Sequence, residues 1–300
     1  MIVSASYRTD IPAFYGSWFA NRFRAGFCRV LNPYGGVSSQ VSLRDGVDGF
    51  VFWTRDVGPF LPALDLVAEA GIPFVVQYSL TGYPKTIEHA TPAASRAIAL
   101  IRGLAGTFGP RVAVWRYDPI LISSATTPDW HRANFTALAD ALTGAVDEVV
   151  TSFVEPYAKT RRAMDRAAVA GGFAWRPARD TEKRALLADL ADIALARGMR
   201  LSLCTQPALV EQGWGKAAAC IDGARLSDRA GHPIAFRRKG NRRGCFCAES
   251  RDIGAYESCP QGCAYCYASG DPATARRKHA AHDPEDEFLF APRGLRPAPN

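Results

Sequence analysis

The chain has no apolar run of the roughly 18 residues that a membrane-spanning helix needs. Its first residues, Met-Ile-Val-Ser-Ala-Ser-Tyr-Arg-Thr-Asp, lack the organisation of a secretory leader. These absences lead to the expectation of a cytoplasmic protein with no membrane partner. In that compartment thiols are kept reduced, so eight cysteines are better explained by metal or redox chemistry than by disulfides. No internal repeat and no long disordered linker stand out, which argues against a repeat array and for a single domain over residues 1–290, with a flexible tail at 291–300.

What is present suits a large core: 300 residues, 48% of them hydrophobic, a length at which a barrel is commonly one domain. Short β-branched and aromatic runs recur at 2–6, 49–53, 73–79, 112–117, 148–153 and 199–204. Between them, 59–70, 92–105, 128–142 and 181–197 carry apolar residues at helical spacing, with Thr91-Pro92 and Thr127-Pro128 reading as a cap followed by a first-turn proline. Strand and helix alternating at intervals of about 25 to 50 residues predict an α/β fold of parallel units, a (β/α) barrel, TIM-like or partial. Residues 27–43 read instead as a hairpin turning at Asn32-Pro33-Tyr34-Gly35-Gly36.

The densest chemistry lies near the C-terminus, where Cys259, Cys263 and Cys266 stand in Cys-Pro-Gln-Gly-Cys-Ala-Tyr-Cys. Three soft donors on one short glycine-containing loop can wrap one face of a four-iron cluster and leave one iron open. Structural zinc remains the alternative, although tetrahedral zinc sites usually draw on two separated close pairs. Upstream, Cys245 and Cys247 form a Cys-x-Cys pair, and with Cys204 and Cys220 they make a second set of four, able to hold a second [4Fe-4S] cluster or a zinc ion. Cys28, in Gly-Phe-Cys-Arg-Val, reads as core.

The spacing Cys-x3-Cys-x2-Cys with an aromatic before the last cysteine resembles the signature of the radical SAM superfamily. That resemblance implies a [4Fe-4S] cluster whose open iron binds S-adenosylmethionine and a reductive cleavage yielding a 5'-deoxyadenosyl radical. The radical would abstract hydrogen from a substrate, and a reduced ferredoxin or flavodoxin-type donor would supply the electron. In that superfamily the cluster loop follows the first strand, whereas here it comes last. A strand at 252–256, the cysteine loop and a helix at 271–279 form a strand-loop-helix unit at the C-terminus, within a cluster-bearing segment 204–282. This predicts a circularly permuted layout in which the strand from Ile2 pairs beside that final strand. The chain also resembles, over nearly its full length, a family of unknown function with such C-terminal cysteines. The carriers are Ser-Ala-Ser-Tyr-Arg-Thr-Asp-Ile-Pro at 4–12, Val-Phe-Trp-Thr at 51–54, Trp-Arg-Tyr-Asp-Pro-Ile at 115–120 and Asp-Ile-Gly-Ala-Tyr at 252–256.

In such a fold chemistry gathers at the C-terminal ends of the strands. That rule selects Tyr7, Tyr117 and Asp118 as catalytic candidates, the tyrosines as hydrogen-atom relays. Gln77 and Ser79 are candidates for ribose hydroxyls, Arg116 for a carboxylate, and the backbone around Tyr265 for adenine. No Gly-Gly-Glu motif offers the methionine amino group a partner, and Asp10 is the substitute. Arg8 with Asp10 reads as an ion pair or a cap, and Trp53 and Trp115 as core. The formal charge of +7, dense at Arg237, Arg238, Lys239, Arg242 and Arg243 and again at Arg276, Arg277 and Lys278, admits a nucleic-acid or nucleotide substrate beside a small molecule. Two other functions stay open: a zinc-stabilised nucleic-acid-binding protein, and an iron-sulfur electron-transfer or redox-sensing protein that never cleaves the cofactor.

Overall fold

The computed structural model describes residues 1–32, 36–240 and 242–291. In chain order come β1 (Ile2–Ala5), α1 (Ile11–Phe14), α2 (Gly16–Ala25), β2 (Phe27–Leu31), β3 (Ser38–Ser42), β4 (Gly49–Thr54), α3 (Leu61–Glu69), β5 (Phe74–Ser79) and α4 (Ala94–Phe108). β6 (Ala113–Ile120), β7 (Ile122–Ser123), α5 (Pro128–Leu142), β8 (Glu148–Phe153), α6 (Ala158–Gly171), β9 (Trp175–Arg176) and α7 (Asp180–Leu195) follow. The last are β10 (Arg200–Leu203), α8 (Pro207–Glu211), β11 (Lys216–Ala217), α9 (Gly223–Ala230), β12 (Ser250–Asp252) and α10 (Pro272–Ala280).

Eight strands form one sheet in the order β11-β10-β8-β6-β5-β4-β1-β12, with every neighbouring pair parallel. Helices connect most of these strands, so the architecture is α/β. The expected meeting of the two chain ends is present: Ile2 stands opposite Ser250 of β12 on one side and Gly49 of β4 on the other. Among the described residues β11 and β12 each pair on one side only. The hairpin is β2 with β3; its expected turn residues 33–35 lie outside the described residues, as does 292–300 of the expected tail.

Strand alternation divides the interior into two layers. Val3, Phe50, Phe52, Val76, Tyr78, Trp115, Tyr117 and Val149 face one side and pack with helical residues such as Trp18, Phe19, Leu64, Ile101 and Phe135. Ile2, Val51, Val75, Val114 and Val150 face the other, covered by Cys220, Ile221, Leu226, Ile234, Cys247 and Ala248. The chain from β11 to β12 therefore lies over the second face, while α8 packs on the first through Leu209.

Helix starts follow their capping chemistry. Thr127 accepts from Trp130 N at 3.2 Å and starts α5 at Pro128, as the Thr-Pro pair predicts. The other Thr-Pro pair does not cap. Thr91 Oγ1 donates back to Glu88 O at 3.2 Å, which ties it into the preceding turn, and α4 begins only at Ala94. α10 starts at Pro272, capped by Asp271, which accepts from Ala273 N and Thr274 N.

Candidate functional site

The cysteine loop is held by the strand before it. Asp252, at the end of β12, accepts from Ser4 Oγ (3.1 Å), Ser6 Oγ (2.7 Å), Tyr7 N (3.1 Å) and Arg8 Nε (2.7 Å). Both members of the Arg8–Asp252 pair are buried. Of the two readings of Arg8 with Asp10, ion pair or cap, the cap is the one formed. Asp10 caps α1 through Ala13 N (3.0 Å) and accepts from Arg55 N at 2.9 Å, because its neighbours along the chain turn into a helix while Arg8 reaches across to β12.

Beyond β12 the loop is pinned from three directions. Tyr15 donates to Ser258 O at 2.6 Å, and Gln261 Nε2 to Asp10 Oδ2 at 3.3 Å. Ala264 N donates to Ile87 O at 2.9 Å and Ala90 N to Gln261 O at 3.0 Å. Between Cys259 and Cys263 the chain reverses at Gly262, whose φ of 72° suits glycine and strains other residues. These bonds set the three cysteines on one wall of a cavity of about 240 Å³.

The rest of that cavity comes from the C-terminal ends of the parallel strands: Tyr7 and Asp10 after β1, Trp53 and Arg55 around the end of β4, Ser79 of β5, Arg116 and Asp118 of β6, and Ser152 of β8. Of the residues selected from sequence, Tyr7, Asp10, Ser79, Arg116, Asp118 and Tyr265 meet there with the three cysteines. Two do not reach it. Tyr117 points to the helical side because it alternates with Arg116 and Asp118; its hydroxyl bonds His131 Nδ1 at 2.8 Å, and it is fully buried. Gln77 shares the cavity-side face of β5 with Ser79 but lies one pleat deeper, donating to Cys220 O at 2.8 Å. Trp115 is core, as expected, whereas Trp53 is a cavity wall with the Arg116 guanidinium 4.9 Å above its ring.

Glu88 and Arg55 supply the site's electrostatics. Arg55 Nη1 lies 3.0 Å from Glu88 Oε1 and Nη2 donates to Tyr265 Oη at 2.5 Å. Tyr265 donates in turn to Glu88, as does Thr81 at 2.6 Å. Burial opposes the Arg55 charge, and Glu88 together with Tyr265, Cys263 and Asp10 more than restores it. Burial pushes the Cys263 thiol up to about 12 against the pull of Arg55, and raises Cys259 and Cys266. Sequence reasoning missed Glu88. The long connection from β5 to α4, at the functional ends of the strands, was the available signal.

Three thiols on one wall suit a group that needs soft donors, provided it displaces their protons. Ser269 N donates to Cys266 Sγ at 3.3 Å, and Arg55 lies against Cys263, so negative sulfur would be met by donors and by positive charge. Among the described residues, no three His, Cys, Asp or Glu side chains are already drawn around a common point as metal ligands. The trio lines the cavity rather than closing on a centre.

The second cysteine set meets elsewhere. Cys204 follows β10, Cys220 follows β11, and Cys245 and Cys247 come from the irregular chain before β12; Cys220 and Cys204 are 3.5 Å apart, sulfur to sulfur. Cys28 is buried in the core, its thiol pushed by burial to about 12. The basic runs are partly spent within the protein: Glu249 pairs with both Arg237 and Lys239, while Arg242 lines the cavity.

Fold and site together define an α/β protein with a thiol-walled cavity at the carboxyl ends of a parallel sheet. The chain belongs to the DUF1848 family, a domain of unknown function, whose family model matches residues 2–268. The match covers both cysteine sets and ends just past Cys266. No curated protein matches the chain. No helix among the described residues is long and apolar enough to cross a membrane.

Proposed function

We propose that this protein is a radical SAM-type iron-sulfur enzyme, its open parallel sheet acting as a permuted partial (β/α) barrel. The observation that carries this reading is the convergence of Cys259, Cys263 and Cys266 with strand-end polar residues on one cavity. The three cysteines would hold a [4Fe-4S] cluster, which when bound supplies the reductive chemistry that cleaves S-adenosylmethionine to a 5'-deoxyadenosyl radical. A reduced ferredoxin or flavodoxin-type protein would deliver the electron.

The chain's own residues then bind and orient. Ser79 would take a ribose hydroxyl, Asp10 the methionine amino group, and Arg116 a carboxylate, which would displace Asp118 from the guanidinium. Tyr265 buttresses the loop through Glu88, leaving its backbone to the adenine. Asp118, which accepts from Ser152, is the acid or base closest to the Arg116 subsite, and Tyr7, edge-on to Trp53 with ring centroids 6.5 Å apart, is the remaining hydrogen-atom relay. A small-molecule substrate suits it better than a nucleic-acid chain, because the cavity is modest in size and Glu249 engages two of the nearby cations. The test is anaerobic reconstitution with iron and sulfide, then incubation of the dithionite-reduced protein with S-adenosylmethionine. Formation of 5'-deoxyadenosine is expected, and zinc without iron or sulfide in anaerobically purified protein would end this reading.

A further inference from the structure

The four cysteines outside the cavity are neighbours in a row that, like the trio, is not already drawn around one point. Cys204 and Cys220 sulfurs are 3.5 Å apart, and Cys247 lies close enough to both Cys220 and Cys245 for each to shift its thiol's pKa. Among the described residues no such sulfur pair joins Cys259, Cys263 and Cys266, which are spread along the cavity wall. This difference in packing separates two kinds of metal site. One tetrahedral zinc ion with bonds of about 2.3 Å places its sulfur ligands about 3.8 Å from one another, close to touching. A four-iron cube puts each cysteine sulfur on a different iron and keeps the sulfurs well beyond contact.

Two donors already point at these sulfurs. Arg116 Nη1 donates to Cys220 Sγ at 2.9 Å, from a side chain buried beneath the cavity. Ile221 N donates to Cys247 Sγ at 3.3 Å. A buried guanidinium aimed at sulfur is matched far better by a metal-bound thiolate than by a neutral thiol. The place in the fold supplies a reason for a staple. The described residues between α9 and β12 form neither helix nor strand, yet they help cover an entire face of the sheet. Chain held by one short antiparallel bridge, Arg238 opposite Ala248, gains from a metal cross-link.

We propose that Cys204, Cys220, Cys245 and Cys247 bind a single metal ion of the zinc class in a four-thiolate shell, tying the irregular covering segment to the ends of β10 and β11. Metal entry displaces the thiol protons to solvent and changes no oxidation state. The site also fixes Arg116, which pairs with Asp118 and stacks on Trp53 at the cavity floor. It stands whether or not the trio carries a cluster.

The test removes the trio from the full chain with Cys259→Ala, Cys263→Ala and Cys266→Ala, and counts metal and acid-labile sulfide after anaerobic purification. One zinc per chain without sulfide is expected. Iron with sulfide, or protein without metal, would overturn the proposal. If the triple variant fails to fold, chelator-stripped full-length protein is titrated with Co²⁺ without oxygen. The expected result is a tetrahedral-thiolate absorption band equivalent to one ion, lost at least tenfold in Cys220→Ser and retained in Cys263→Ser. A band that survives Cys220→Ser would contradict the assignment.

Discussion

Tyr117 shows how much one residue of register decides. Its neighbours Arg116 and Asp118 reach the cavity, while its own ring lies among Trp115, His131 and Phe135. His131 Nε2 faces Leu121 O at 3.1 Å, which only accepts, so that nitrogen carries the proton and Nδ1 accepts from Tyr117. Burial lowers the His131 pKa to about 4. The imidazole is thus neutral in the fold but titrates normally once unfolded, and the unfolded chain binds the extra proton. Stability should therefore fall as pH drops from about 6.5 toward 4, by about 3 kcal/mol from this group. Urea unfolding at a series of pH values should show a shallower acid limb in His131→Gln than in the parent. Tyr117→Phe should cost about 1–2 kcal/mol through the unmet nitrogen, and should leave cofactor cleavage intact if Tyr117 is no relay.

Among the elements, the strands were the most legible from sequence, because dense β-branched and aromatic runs such as Phe50-Val51-Phe52 and Val75-Val76 have few other uses. The helix α5 was legible to its ends through its Thr-Pro start. The α2 and α6 helices were missed, and both have low mean hydropathy, since their apolar stripes are diluted by arginines. The pairing of β1 with β12 followed from reading the C-terminal unit as displaced from the front of the fold. Asp252 is the residue on which that junction turns, and Arg8 depends on it. Asp252→Ala would leave a buried guanidinium without its carboxylate, at a cost of about 3–5 kcal/mol. A loss of unfolding free energy of that size, read from urea titration, is expected, and a change within error would show the junction to be held by the strand ladder alone.

At the scale of the whole molecule, the sequence located the cavity's cysteine wall and most of its strand-end residues, since both lie in short, dense motifs. It could not show Glu88 beside Arg55, because that meeting depends on how the long β5–α4 connection folds over the strand ends. It grouped Cys204 and Cys220 with a pair some 25 to 43 residues further along without showing their arrangement, which depends on how the chain between β10 and β12 returns across the sheet. That return path separates the two thiol sets in space, with Arg116 between the second set and the cavity. The account assigns them different duties, chemistry to the trio and anchoring to the four. Reduced, reconstituted protein incubated with S-adenosylmethionine tests the central claim most directly. The account predicts 5'-deoxyadenosine from the parent chain and none from Cys263→Ala; a parent chain that binds iron and sulfide yet releases no 5'-deoxyadenosine would contradict it.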